Sequence, residues 1–108
     1  MAKQIRFTYD GMAYTLEFNR NAVASMERDG FRAEYLAEKP ASALPALFAG
    51  AFIMHHPYMK RDKIDAIYAR MTNRHQLMQT LAEMYNEPIQ ALLDEPEENE
   101  GNLNWEER

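Results

Sequence analysis

The chain contains no cysteine. Disulfides, thiolate nucleophiles and thiolate-bound metals are excluded together, and a reducing, cytoplasmic setting is the expectation. Glycine occurs only four times, at 11, 30, 50 and 101, too dispersed for a phosphate-cradling loop. The two serines, Ser25 and Ser42, sit in no nucleophile elbow. Positive charge is sparse: 12 Lys and Arg against 17 Asp and Glu leave a formal net charge of −5. The densest basic cluster, Lys60-Arg61-Asp62-Lys63, is broken by an acid, so no nucleic-acid partner is expected. The apolar run at 44–54 is far short of the ~20 residues that span a bilayer, so no membrane partner is expected either. The first twenty residues alternate polar and apolar, which is not the pattern of a secretory leader.

What is present is a segment unlike the rest. Charged residues make up 27% of the chain, yet none lies between Pro40 and Met59. Leu44, Leu47, Phe48, Ala51, Phe52 and His55 fall on one helical face. Ala46, Ala49, Gly50, Ile53 and Met54 make the other face apolar as well. A helix that is apolar all round must be covered on every side. It is either the central core helix or one that borrows cover from a second copy or a partner.

The 108 residues suggest a single domain over 1–94, followed by an acidic tail over 95–108 without regular structure. The expected fold is α+β and mainly α: a two-stranded antiparallel β-hairpin packed on four or five helices. Asp10-Gly11 suits a two-residue type I′ turn. That turn sets Tyr9 opposite Met12, Phe7 opposite Tyr14 and Ile5 opposite Leu16 on one covered side. Arg6 and Thr15 then face outward, with Glu17 diagonal to Arg6. Asn19 or Asn21 can cap the next helix, which carries Val23 and Met26 and closes through Gly30 with Phe31 folded back. A short helix over about 33–38 precedes Pro40. Ser42 is expected to cap the uncharged helix, with Pro45 in its first turn and Pro57 stopping it near His55. Ile64, Ile67, Tyr68 and Met71 form an amphipathic stripe. Asn73-Arg74-His75-Gln76 has capping-box spacing ahead of Leu77, Leu81, Met84 and Tyr85. Pro88 is expected to break or kink that helix, with Ile89, Leu92 and Leu93 forming a last apolar turn.

Chemistry is hard to find. His55 and His56 point about 100° apart on a helix and make poor co-ligands, and no acid completes a pair with His75. Asp62 and Asp65 read as a helix-start pair rather than an acid/base pair. No catalytic, metal or cofactor residues are assigned, and an enzyme is not expected. Eight methionines suit either core filling or an adaptable binding surface. Trp105, the only tryptophan, lies in a polar tail, where it either packs back on the domain or anchors to a partner.

Six segments carry a resemblance in order and spacing: Phe7-Thr8-Tyr9-Asp10-Gly11, Tyr14-Thr15-Leu16-Glu17-Phe18-Asn19-Arg20, Met26-Glu27-Arg28-Asp29-Gly30-Phe31, Leu47-Phe48-Ala49-Gly50-Ala51-Phe52, Met84-Tyr85-Asn86-Glu87-Pro88 and Asn104-Trp105-Glu106. Together they resemble the small tail assembly chaperones of long-tailed bacteriophages and prophages. The resemblance implies a non-enzymatic protein that coats the helical tape-measure protein, keeps it soluble while the tail tube polymerises, and is absent from the finished virion. It also implies a frameshifted longer form, through which the tail tube protein would be contacted; the helix that is apolar all round separately raises the odds of self-association. The expected partner-binding residues are Leu47, Phe48, Phe52, Ile53, Met54 and Trp105. Two other readings stand beside it: a structural virion component, such as a tail terminator or head–tail connector, and a small antitoxin-like regulator.

Overall fold

The computed structural model describes residues 3–95 and 101–107. An N-terminal antiparallel hairpin, β1 (Ile5–Tyr9) and β2 (Met12–Leu16), is followed by five helices. These are α1 (Arg20–Arg28), α2 (Tyr35–Glu38), α3 (Pro40–Gly50), α4 (Arg61–Arg70) and α5 (Arg74–Ala91). Asp10 and Gly11 both take positive φ, 52° and 79°, as a type I′ turn requires. The register pairs Ile5 with Leu16, Phe7 with Tyr14 and Tyr9 with Met12. Tyr14 and Leu16 are buried, and Phe7 stacks on Tyr14 with centroids 5.5 Å apart. Met12 shares their side of the hairpin but is 59% exposed, because the hairpin tip extends past the helices that cover its base.

Local chemistry accounts for the first helix. Asn19 takes an extended backbone, and its side chain accepts the Ala22 N–H at 2.7 Å. At the other end Phe31 N–H reaches the Met26 carbonyl at 2.9 Å, and Gly30 N–H the Glu27 carbonyl at 3.0 Å. With Gly30 at φ 97° this is a complete Schellman ending, and it returns Phe31 to the core beside Met26.

The uncharged helix differs from expectation at both ends. It starts at Pro40, whose fixed φ and missing N–H suit the first helical position. Ser42 is not its cap; the hydroxyl donates back to the Lys39 carbonyl at 3.4 Å. Pro45 therefore lies inside the helix, where it removes the bond to the Ala41 carbonyl on the exposed surface. The helix ends at Gly50 rather than near His55. Glu17 N–H, arriving from β2, takes the Ala51 carbonyl at 3.1 Å, an acceptor that a continuing helix would need. Residues 51–55 go on as turns, with Phe52 and Ile53 N–H bonded three residues back.

The remaining pair is joined by a device that the capping-box spacing does not reveal. Asn73 sits in the left-handed region at φ 51° and makes no side-chain cap bond. Instead the Arg74 guanidinium donates to the carbonyls of Ala69, Met71 and Tyr68 at 2.9, 3.1 and 3.2 Å and lies over the Tyr68 ring at 4.8 Å. It closes the open carbonyls of α4 with a positive charge at the negative end of the helix. Pro88 does not break α5, which runs to Ala91. Its missing N–H takes one donor from the Met84 carbonyl, and only three helical residues follow.

Leu16, Leu47, Phe48, Phe52, Ile67, Leu81 and Met84 are sealed in the core. The α3 helix is central, packing on α1, α2, α4 and α5, while Phe52 meets Phe7 and Tyr14 of the hairpin edge-on. Ile89, Leu92 and Leu93 do not make the expected final packed turn; all three lie exposed past the edge of the core. Residues 101–107 form neither helix nor strand. The rest of the expected tail, 96–100 and 108, lies outside the described residues, apart from Glu95.

Candidate partner-binding groove

Three of the six expected binding residues lie almost wholly within the core. Leu47, Phe48 and Phe52 are at most 1% exposed, because their face of α3 is the one turned to the hairpin and to α4 and α5. Phe48 and Phe52 instead pair with each other, centroids 5.2 Å apart, and Phe48 also meets Tyr68. Ile53 is half-buried and Met54 is exposed. Trp105 is 85% exposed.

The opposite face of α3 is where the structure stays open. Ala46, Ala49, Gly50 and Ile53 recur at i, i+3, i+4 and i+7, and their small side chains leave a trough of about 550 Å³ along the helix. Met26, Phe31 and Tyr35 line it from the end of α1 and from α2; Met59 and Ile64 line it from the approach to α4. The volume lies within the ~300–1,000 Å³ of formed ligand sites. Gly50 lets the Met26 wall close in: a Cβ there would overlap Sδ and Cε of Met26. The rim is polar, with Asp29, Lys39, His56 and Arg61. The Lys39 ammonium lies 4.7 Å from the centre of the Tyr35 ring, and Arg61 pairs with Asp65 at 3.1 Å. Of the expected set, Phe52 and Ile53 reach this groove, whereas Met54 and Trp105 are not among the residues lining it.

Two adjacent imidazoles hold the segment after α3 against the hairpin. Thr15 N–H donates to His56 Nε2 at 3.1 Å, so that nitrogen is an acceptor and a neutral ring carries its proton on Nδ1. The same ring lies 5.1 Å from that of Tyr14. His55 Nε2 meets Glu17 Oε1 at 2.8 Å, and Gln4 donates to the same oxygen at 2.8 Å. The hydrogen bond from His55 holds the Glu17 carboxyl below its ordinary range, against the upward push of burial, with Gln4 assisting. Glu17 is therefore buried and paired rather than outward beside Arg6. These contacts fix where Phe52 and Ile53 stand and so set one end of the groove. The adjacent histidines mark a helix end in the sequence, but their partners lie about forty residues away.

Among the described residues no three His, Asp or Glu side chains come together as a metal set, and no helix is long and apolar enough to cross a membrane. Over residues 1–108 the chain matches a family described as a domain of unknown function (DUF5055). No curated protein and no solved structure matches it.

Proposed function

We propose that this chain, which belongs to the DUF5055 family, is a tail assembly chaperone that binds helical stretches of a phage tape-measure protein and keeps them soluble during tail tube assembly. The observation that supports this reading is the open apolar groove along α3. An amphipathic helix lays its apolar stripe into such a trough, a common mode of peptide recognition. A floor of Ala46, Ala49, Gly50 and Ile53 accepts many side-chain shapes, and Met26 and Met59 in the walls adapt to them. The groove is short, so each copy holds its target weakly. Many copies along one filament supply the total binding, and each remains displaceable by tube subunits. The reading is non-catalytic and cytoplasmic, with self-association along the target.

The test is co-expression with the tape-measure protein of the same phage or prophage. A soluble complex with several copies per target is expected, and Ile53→Glu should release it by placing a charge in the trough. If the two proteins fail to co-purify under any salt condition, the reading fails. Mass spectrometry of purified virions is expected to find none of this chain. Stoichiometric presence there would make it a structural component instead.

A further inference from the structure

Two large uncovered apolar groups among the described residues and the uncovered apolar groove face a common problem. Leu103 is 94% exposed and Trp105 85% exposed, both in the segment 101–107 that forms no helix or strand. Exposing an indole and an isobutyl group to water is unfavourable, and tryptophan is among the residues enriched as anchors in apolar pockets.

Charge distinguishes the possible resting places. Residues 95–108 hold six glutamates against one base, Arg108, a balance of −5. The whole chain also balances at −5, which leaves eleven acids and eleven bases in residues 1–94. The body is thus neutral and the tail carries the entire net charge. On the groove rim Lys39 and Arg61 outnumber Asp29; Arg61 is shared with Asp65 in an exposed ion pair, which is weak enough to exchange partners, and is flanked by Lys60 and Asp62 of opposite charge. The exposed apolar end of α5 offers the tail less: Asp94 and Glu95 follow Leu93 directly and repel it.

Reach is sufficient. Tyr85 of α5 touches Phe31 of the groove wall, with ring centroids 5.3 Å apart. At ~1.5 Å per helical residue, α5 ends about 9 Å beyond that point. The fourteen residues from there to Trp105 extend to at most ~46 Å, more than the way back to the groove wall at Phe31 and along the groove.

We propose that the tail segment 102–107 docks into the α3 groove of its own chain, with the Trp105 indole against Ile53 and the alanine floor and the flanking glutamates toward Lys39 and Arg61. The acidic tail is then the resting occupant of the groove, and a helical target must displace it. This regulatory role rests on the groove being the partner site; the docking itself does not. An intramolecular occupant starts from a high effective concentration, so weak docking is enough to cover the trough.

Trp105 is the only tryptophan, which makes the intact protein its own probe. Its emission and acrylamide quenching are compared with those of a synthetic peptide of residues 95–108. The expected result is a blue-shifted emission and at least twofold slower quenching in the protein, both weakened in 1 M NaCl. Ile53→Glu should return both to the peptide values. So should the double reversal Lys39→Glu with Arg61→Glu, two exposed positions whose change leaves the fold intact by circular dichroism. Peptide-like emission in the intact protein overturns the proposal. Protection that rises with protein concentration overturns it by assigning the tail to a second copy, and protection lost on Leu92→Ser with Leu93→Ser, but not on Ile53→Glu, by assigning it to α5. No tape-measure protein enters the assay, so its outcome is separate from that of the co-expression test.

Discussion

Replacing Gly50 by alanine separates the groove from the fold. The new Cβ would overlap Sδ and Cε of Met26, while Cγ is 3.1 Å away. Those two atoms are the far end of a flexible side chain whose other open side is the groove itself. The strain is therefore relieved by swinging the thioether into the trough. Uncovering two methylene-sized groups costs about 1.5 kcal/mol at ~0.8 kcal/mol each. Alanine recovers up to ~1 kcal/mol of helix propensity relative to glycine, and roughly half of that at the final residue of α3. The net loss is about 1 kcal/mol, a small part of the ~5–15 kcal/mol typical of a domain. Urea denaturation should show that loss with an unchanged m-value. Methionine methyl NMR should show one resonance, that of Met26, moving to a more exposed environment. Affinity for a helical target should fall by more than the stability change implies, because the trough is now partly filled. A loss above ~3 kcal/mol, or an unmoved Met26 methyl with undiminished binding, would refute this account of the wall.

Other perturbations test the joints that position the groove. Asn19→Ala removes the acceptor of the Ala22 N–H and should cost about 1 kcal/mol in urea titrations. Arg74→Ala removes the donors to the Tyr68 and Ala69 carbonyls of α4 and to that of its C-cap Met71; because the site is exposed, the loss should also be about 1 kcal/mol, smaller at high salt. The pH profile should carry the signature of Glu17, whose folded pKa lies below its ordinary value of 4.5. The unfolded chain then holds the proton more tightly. The stabilisation is present above about 4.5 and is lost as pH falls through that value toward the folded pKa. Glu17→Gln should flatten this acid limb; an unchanged profile would show that the His55 bond contributes nothing.

The local devices of this fold were legible because each is completed within a few residues. Asp10-Gly11 sets the hairpin register, Asn19 meets Ala22, and Gly30 with Phe31 closes on Met26. The positions along α3 also separated correctly into a face with Phe48 and Phe52 and a face of small residues. Which face would be sealed was not legible: the expected binding residues came from both faces, and Leu47, Phe48 and Phe52 turned out to be core. The pairings of Glu17 with His55 and Thr15 with His56 span 38 and 41 residues, and no spacing rule announces them. Capping-box spacing at Asn73 misled for a similar reason: Arg74 finds better acceptors on the preceding helix than Asn73 finds on its own.

By itself, then, the order of residues determined turn type, register, the cap and Gly30 ending of α1, and the requirement that the segment after Pro40 be covered. Backbone dihedral preferences and side-chain periodicity act over a few positions and need no knowledge of the rest of the chain. The tertiary structure decided that α3 gives its aromatic face to the hairpin, that the Ala51 carbonyl is taken by Glu17, and that the trough over Gly50 stays open. Those outcomes depend on which distant groups compete for the same acceptor or the same space, a contest resolved only when the whole chain packs.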